Sequence, residues 1–169
     1  YREREYKIMK RLEERYKDYV KALNKLKEAF IEVPTEIIID GTLQRYEFTF
    51  ELAWKTIKDF LEYNGYSDDI SSPRAIINMA FSSKIIKNGD IWIQMMLDKN
   101  SLSHLYDEEK SRQIYNNIKN KYIKELENLK NFLEKKHIVT IMLIYKNYNL
   151  PIAWIEKTWY NNKCYSRIH

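Results

Sequence analysis

Glycine and proline are scarce, three of each in 169 residues. A sheet protein with many tight turns needs more of both, so the chain is expected to be built from long helices. With so few glycines there is no Gly-rich phosphate loop: neither GxGxxG nor GxxxxGK[ST] occurs. One cysteine, Cys164, excludes a disulfide framework and a cysteine-built zinc site, and a reducing cytosol is the expected setting. No apolar run nears the roughly 20 residues of a membrane-spanning helix, and mean hydropathy is −0.63. No signal-peptide pattern is visible, and a chain opening on Tyr1 rather than Met is expected to begin further upstream in nature.

The balance that remains is globular, with 44% hydrophobic and 31% charged residues. Of the net charge of +5, residues 137–169 carry +3, from Lys146, Lys157, Lys163 and Arg167 against Glu156. The body of the chain is almost neutral, so any contact with RNA has to be local.

Apolar periodicity predicts the elements. Met9, Leu12, Tyr16, Val20, Leu23, Leu26 and Phe30 recur at spacings of three and four, predicting a helix over 3–33 that Pro34 ends. A second helix is expected from an Asp40 N-cap to Tyr63, with Leu43, Tyr46, Phe50, Trp54, Ile57 and Leu61 inward and Asn64-Gly65 as its stop. Ser72-Pro73 opens a short third helix to about 85. Asn88-Gly89-Asp90 turns into a fourth over about 90–101, with Ile91 and Met95 inward. The acidic run Asp107-Glu108-Glu109 starts a fifth that carries Tyr115, Ile118, Tyr122, Leu126, Leu129 and Leu133 to about Lys136. The expected fold is an all-α, antiparallel up-and-down bundle of three long and two short helices over 1–136. Residues 137–169 form a C-terminal extension of unassigned structure, where Trp154 and Trp159 are candidate interface anchors.

Two places suit chemistry. The stretch Asp98-Lys99-Asn100-Ser101-Leu102-Ser103-His104-Leu105-Tyr106-Asp107 gathers a cation, an amide, hydroxyls, an imidazole and a phenol between two helices. It suits acid–base work by His104 with a cation for phosphate, and equally plain hydrogen bonding at a helix boundary. His137 and His169 receive no role. On the second helix, Gln44, Glu47, Glu51, Lys55 and Lys58 form a polar stripe, readable as a solvated face or as the wall of a groove for a nucleotide or partner. Glu47 and Glu51 stand one turn apart, but no histidine lies at matching spacing, so no metal site and no cofactor is expected.

Asp40-Gly41-Thr42-Leu43-Gln44-Arg45-Tyr46-Glu47-Phe48-Thr49-Phe50-Glu51-Leu52-Ala53-Trp54-Lys55 resembles the signature helix of the nucleotidyltransferase substrate-binding protein family, part of the HEPN superfamily. Ser72-Pro73-Arg74, Gly89-Asp90-Ile91-Trp92 and the Asp98–Asp107 junction follow in that family's order, so the resemblance spans about residues 3–134. It implies a helical bundle that forms homodimers and hetero-oligomers with a minimal nucleotidyltransferase encoded nearby. In one role the bundle is a non-catalytic substrate-binding subunit, for which Gln44, Glu47, Glu51, Trp54, Lys55, Asn100 and Ser103 are the candidate contacts and Tyr106 a candidate site of nucleotidylation. In the alternative role it is a metal-independent ribonuclease toxin of a toxin–antitoxin pair, acting on RNA. The toxin motif is Arg, four residues, His, one residue, Tyr; the matching positions here are Lys99, His104 and Tyr106. Lys99 keeps the charge of the motif's Arg without its planar fork. On that pattern His104 would deprotonate a ribose hydroxyl while Lys99 stabilises the phosphorane. Lys99 and His104 are five apart, about 140° round an ideal helix, so either the helix breaks between them or a second subunit supplies one of them. The chain is not itself the transferase: that chemistry uses a Gly-Ser turn and an Asp-x-Asp pair, and Asp68-Asp69 has neither the spacing nor the turn.

Overall fold

The computed structural model describes residues 2–66, 71–104 and 107–148; for residues 2, 5, 6, 104 and 137–148 it describes the main chain alone. The order is α1 (Arg2–Glu28), α2 (Glu36–Tyr63), α3 (Pro73–Ser82), α4 (Gly89–Ser101), a 3-10 turn (Leu102–His104), α5 (Glu108–Asn117), a π-helical turn (Ile118–Tyr122) and α6 (Ile123–Tyr148). Among the described residues the protein is all-α, as expected. Because α5, the π turn and α6 run on without a break, the described residues make three long rods and two short ones. Contacts divide the chain into two compact units, Tyr1–Lys130 and Asn131–His169. The first holds the bundle and the candidate site. In the second, the helical main chain of α6 passes residue 136 and reaches Tyr148. Trp154, Trp159, Cys164 and His169 lie outside the described residues, as does the Ser67–Ile70 loop.

Some helix starts and stops differ from the periodicity and others follow it. Helix α1 ends at Glu28, five residues early, because Ala29, Phe30 and Ile31 bond to carbonyls three residues back rather than four. Helix α2 begins at Glu36, where Thr35 in extended conformation accepts the Ile38 N–H. The Asp40 start is thereby corrected: Thr35 follows Pro34 directly and leaves Asp40 one turn inside the helix. The stop is as expected, with Gly65 at φ +83°, a value that favours glycine. Ser72 caps α3 by accepting the Ala75 N–H, with Pro73 in its first turn, and Asp107 caps α5 by accepting from Glu109 and Lys110. At α4 the cap position is Asn88, but its side chain caps nothing and donates instead to buried Glu125 at 2.7 Å.

Helix α1 runs antiparallel to α2: Arg11 meets Glu62, Arg15 meets Asp59, and Arg45 reaches the Lys25 carbonyl. It is also antiparallel to the last rod, pairing Tyr19 with Leu126 and Phe30 with Tyr115. The seam α1 buries is turned by about one residue from the expected stripe. Ile8, Tyr19, Ala22, Leu23, Leu26 and Ala29 are buried, while Met9, Tyr16, Val20 and Phe30 are half-buried. The heptad 8, 12, 15, 19, 22, 26, 29 admits Arg15, whose charge disguises it in a purely apolar count.

Aromatic rings fill the centre. Tyr46 stacks on Tyr122 at 5.7 Å, and Phe50 lies 6.2 Å from Trp92. Three buried tyrosines donate their hydroxyls: Tyr19 to the Leu126 carbonyl, Tyr46 to the Met95 carbonyl and Tyr122 to Asp98. This removes the roughly 1–3 kcal/mol cost of burying an unpaired donor. Along α2, Thr42, Thr49 and Thr56 are buried at seven-residue intervals, each returning its hydroxyl to the carbonyl four residues back.

Candidate functional site

Glu51 on α2 and Lys99 on α4 are 48 residues apart in sequence, yet their side chains form an ion pair at 2.7 Å. Trp54 donates its indole N–H to Glu51 at 3.1 Å, and Lys55 approaches the same carboxylate at 3.4 Å. The Lys55 ammonium also sits 5.6 Å from the centre of the Trp54 ring. Four of the residues singled out in the sequence therefore meet in one cluster. The reason is periodicity: 51, 54 and 55 share one face of α2, and α4 crosses α2 where Tyr46 meets Met95 and Phe50 meets Trp92.

The cluster is half-buried, with 19% of the Lys99 side chain and 29% of the Glu51 side chain exposed. Burial pushes the Glu51 carboxyl up, but the hydrogen bond and charge of Lys99, with help from Trp54 and Lys55, outweigh it and hold the group below the usual carboxylate range. Two ammonium groups thus converge on one carboxylate beside an indole face, an excess of positive charge suited to an anion next to a flat ring. Trp54, expected in the buried stripe, is half-exposed; one step round from Ala53 and Ile57, it belongs to the cluster rather than the core.

The other expected contacts are spread around it. Gln44 is exposed and Glu47 half-exposed on the same α2 stripe, and Asn100 and Ser103 are exposed at the end of α4 and in the turn after it. None of the four hydrogen-bonds to the cluster among the described residues. Helix α4 gives way to a 3-10 turn at Leu102, so the helix does change geometry between Lys99 and His104. The main chain of His104 closes that turn; its side chain and the whole of Tyr106 lie outside the described residues. Asp107, next to Tyr106 in sequence, lines a cavity of about 250 Å³ with Glu36, Ile39, Asp40, Glu108, Ser111 and Arg112.

Sequence reasoning gave no role to Asp98. It is buried, and its carboxylate accepts from Gln94 at 2.9 Å, Asn117 at 3.3 Å and Tyr122 at 2.6 Å. Ser101 donates to its carbonyl at 2.7 Å. The polar positions 94, 98 and 101 fall on one face of α4, a signal that was available. Its partners Asn117 and Tyr122 were not readable, because the π turn that aligns them leaves no mark in the apolar spacing.

Comparison with known proteins gives concordant findings. Residues 14–135 match the family model described as "Nucleotidyltransferase substrate binding protein like". A Haemophilus influenzae protein named "Probable ribonuclease HepT" is 30% identical over 86 residues, 49% of this chain; the chain spans 59% of that relative's length. A solved Thermus thermophilus chain is 30% identical and superposes with a TM-score of 0.60, over 66% of this chain and 94% of that one. A second solved chain, from Haemophilus influenzae, shares the fold at 24% identity and a TM-score of 0.64, over 70% of this chain and 98% of its own. Its structure is described as revealing "the fold of a substrate binding domain of a nucleotidyltransferase".

Proposed function

Because this chain belongs to the nucleotidyltransferase substrate-binding protein-like family, we propose that it is the non-catalytic, substrate-binding subunit of a two-component system, paired with a minimal nucleotidyltransferase. The observation that carries this reading is the Glu51–Trp54–Lys55–Lys99 cluster. It offers a flat indole face for a base and two ammonium groups for phosphate, held in place by one carboxylate. Glu51 keeps both cations extended before a ligand arrives, and an incoming phosphate competes with it for them. The chain's own fold supplies binding and orientation; the transferase supplies the catalytic carboxylates and the metal-bound nucleotide. In this reading Tyr106 is the residue that accepts a nucleotide, and the bundle works as a homodimer within the larger assembly. Co-purification with the transferase encoded beside it is the direct test: a complex stable at micromolar concentration is expected, and its absence counts against the proposal. Lys99→Ala should weaken nucleotide binding roughly 10- to 100-fold while leaving the complex intact, since a charge-assisted contact to phosphate is typically worth about 1.5–3 kcal/mol.

The name of the Haemophilus relative favours one further reading, a metal-independent ribonuclease in which His104 is the base and Lys99 the cation. Lys99 is paired with Glu51 at 2.7 Å, so in this reading, as in the first, the phosphate group competes with that carboxylate for the cation. RNA cleavage in EDTA decides between them. The ribonuclease reading requires activity that His104→Ala abolishes, and the subunit reading requires none in either protein.

A further inference from the structure

Ile31, Val33 and Ile37 are the most exposed large apolar side chains among the described residues, each more than three-quarters exposed. Single exposed aliphatics are ordinary on a protein surface; three such within one short stretch form a patch. They stand on the turn that joins α1 to α2 and on the first turn of α2. That turn is tightly built. Ala29, Phe30 and Ile31 bond back to α1, and Thr35 donates its N–H to the Val33 carbonyl at 2.8 Å across Pro34, whose ring fixes the backbone there. Phe30 packs its ring on Tyr115, 5.1 Å away, so the turn also leans on α5. The apolar side chains are thus held outward on a rigid support, and little ordering is lost when a partner covers them.

The charge beside them is one-sided. Residues 29–44 contain no Lys or Arg, only Glu32, Glu36 and Asp40. The start of α5 adds Asp107, Glu108 and Glu109, and the cavity of about 250 Å³ brings Glu36 and Asp40 of α2 to Asp107 and Glu108. Six carboxylates therefore stand against two cations, Lys110 and Arg112, in a chain whose net charge is +5. Arg112 is taken up by Glu108 at 3.0 Å, and none of Glu32, Glu36, Asp40 and Asp107 has an ion pair among the described residues. A second copy of this chain is a poor occupant, because a twofold contact would press the acidic patch against itself. The complementary surface is apolar and bordered by Lys or Arg.

We propose that the Ile31–Val33–Ile37 ridge, with the acidic cavity beside it, is the face on which the nucleotidyltransferase docks, through an apolar surface with a cationic side chain that enters the cavity. The inference rests on the pairing proposed above and adds its location. Asp107, a wall of the cavity, follows Tyr106 directly in the chain, so a transferase seated here works beside the tyrosine that accepts the nucleotide. The Lys99 cluster, with Glu51 roughly 20 Å further along α2, stays open to its ligand.

The test is the binding kinetics of the full chain with the transferase encoded beside it. Ile31→Ser with Ile37→Ser should speed dissociation about tenfold. Glu32→Lys with Asp40→Lys should slow association about tenfold at low salt, an effect that fades at about 0.5 M salt. All four side chains are exposed, so thermal midpoints should stay in place. Phe81→Ser, which removes an exposed ring on α3, should bind like the parent chain. A complex whose rates ignore either pair of substitutions, or that Phe81→Ser weakens equally, overturns the docking face alone. Self-association of this chain that the same substitutions abolish overturns it in favour of a second copy. No complex with the parent chain takes the pairing and the docking face down together.

Discussion

Among the described residues two aspartates, Asp59 and Asp98, are buried, and they are satisfied in opposite ways. Asp59, on α2, has a side chain only 2% exposed and is gripped by Arg11 and Arg15 of α1. Asp98, on α4, meets three neutral donors instead. The first arrangement joins two long antiparallel rods already held by a continuous apolar seam, and the arginines keep part of their surface in water. Burial pushes the Asp59 carboxyl up, and the two guanidinium groups pull against that without reversing it. The second arrangement holds a short helix whose following turn carries His104, and it depends on a π turn for two of its donors. A charge clamp suits a place where rods need only be fastened. A neutral network fixes orientation, because each donor has one geometry that works.

Removing the neutral hub should cost more than removing the clamp. Asp98→Leu leaves the Tyr122 hydroxyl buried without its acceptor and both amides unpaired; a loss of about 3 kcal/mol in chemical denaturation is expected. A loss under about 1 kcal/mol would show that the hub is dispensable. Asp59→Asn should cost about 2 kcal/mol, since the arginines it frees can turn to solvent. If it costs more than Asp98→Leu, the neutral hub is not the stronger fastening of the two.

Alkaline titration separates the two regions in another way. Tyr19, Tyr46 and Tyr122 all have hydroxyls pushed above the ordinary phenol range, first by burial, with Asp98 adding to the shift at Tyr122. A group whose folded pKa is raised lends stability that is present below its unfolded value and is lost as pH climbs above it. The thermal midpoint should therefore fall as pH rises beyond about 10. Tyr122→Phe should flatten that fall, whereas Asp59→Asn should leave its slope alone.

The smallest effect belongs to the candidate site. Glu51 is held below the usual carboxylate range, so what it contributes is present above about pH 4.5 and is lost as pH falls through its folded value. Glu51→Gln at pH 7 should shift stability by under about 1 kcal/mol, as a half-exposed pair does. It should nevertheless change nucleotide binding measurably, since it frees Lys99 and Lys55. A large stability loss with unchanged binding would mark the cluster as architectural.

Much of this was legible in advance. Ser72-Pro73, Asp107 and Asn64-Gly65 mark their helix ends in the positions the chain adopts, because capping depends on a few adjacent residues. The stripe 51, 54, 55 was visible as a polar face, and Lys99 stood out within its junction. Its partner did not: nothing local says that position 99 reaches position 51. Arg15 in the α1 seam was missed for a related reason, since a charged residue reads as surface until the Asp59 opposite it is known.

The sequence by itself determined the helices, the caps at Ser72 and Asp107, the stop at Asn64-Gly65 and the near-neutrality of the body, since these follow from composition, from adjacent residues and from spacings of three, four or seven. The tertiary structure decided which charges are buried and with whom. It turned α1 by one position, inserted the π turn at Ile118–Tyr122 and brought Glu51 to Lys99. Those outcomes depend on how rods distant in sequence pack against one another, and the free energy of a buried charge or donor is set by the partner that packing supplies.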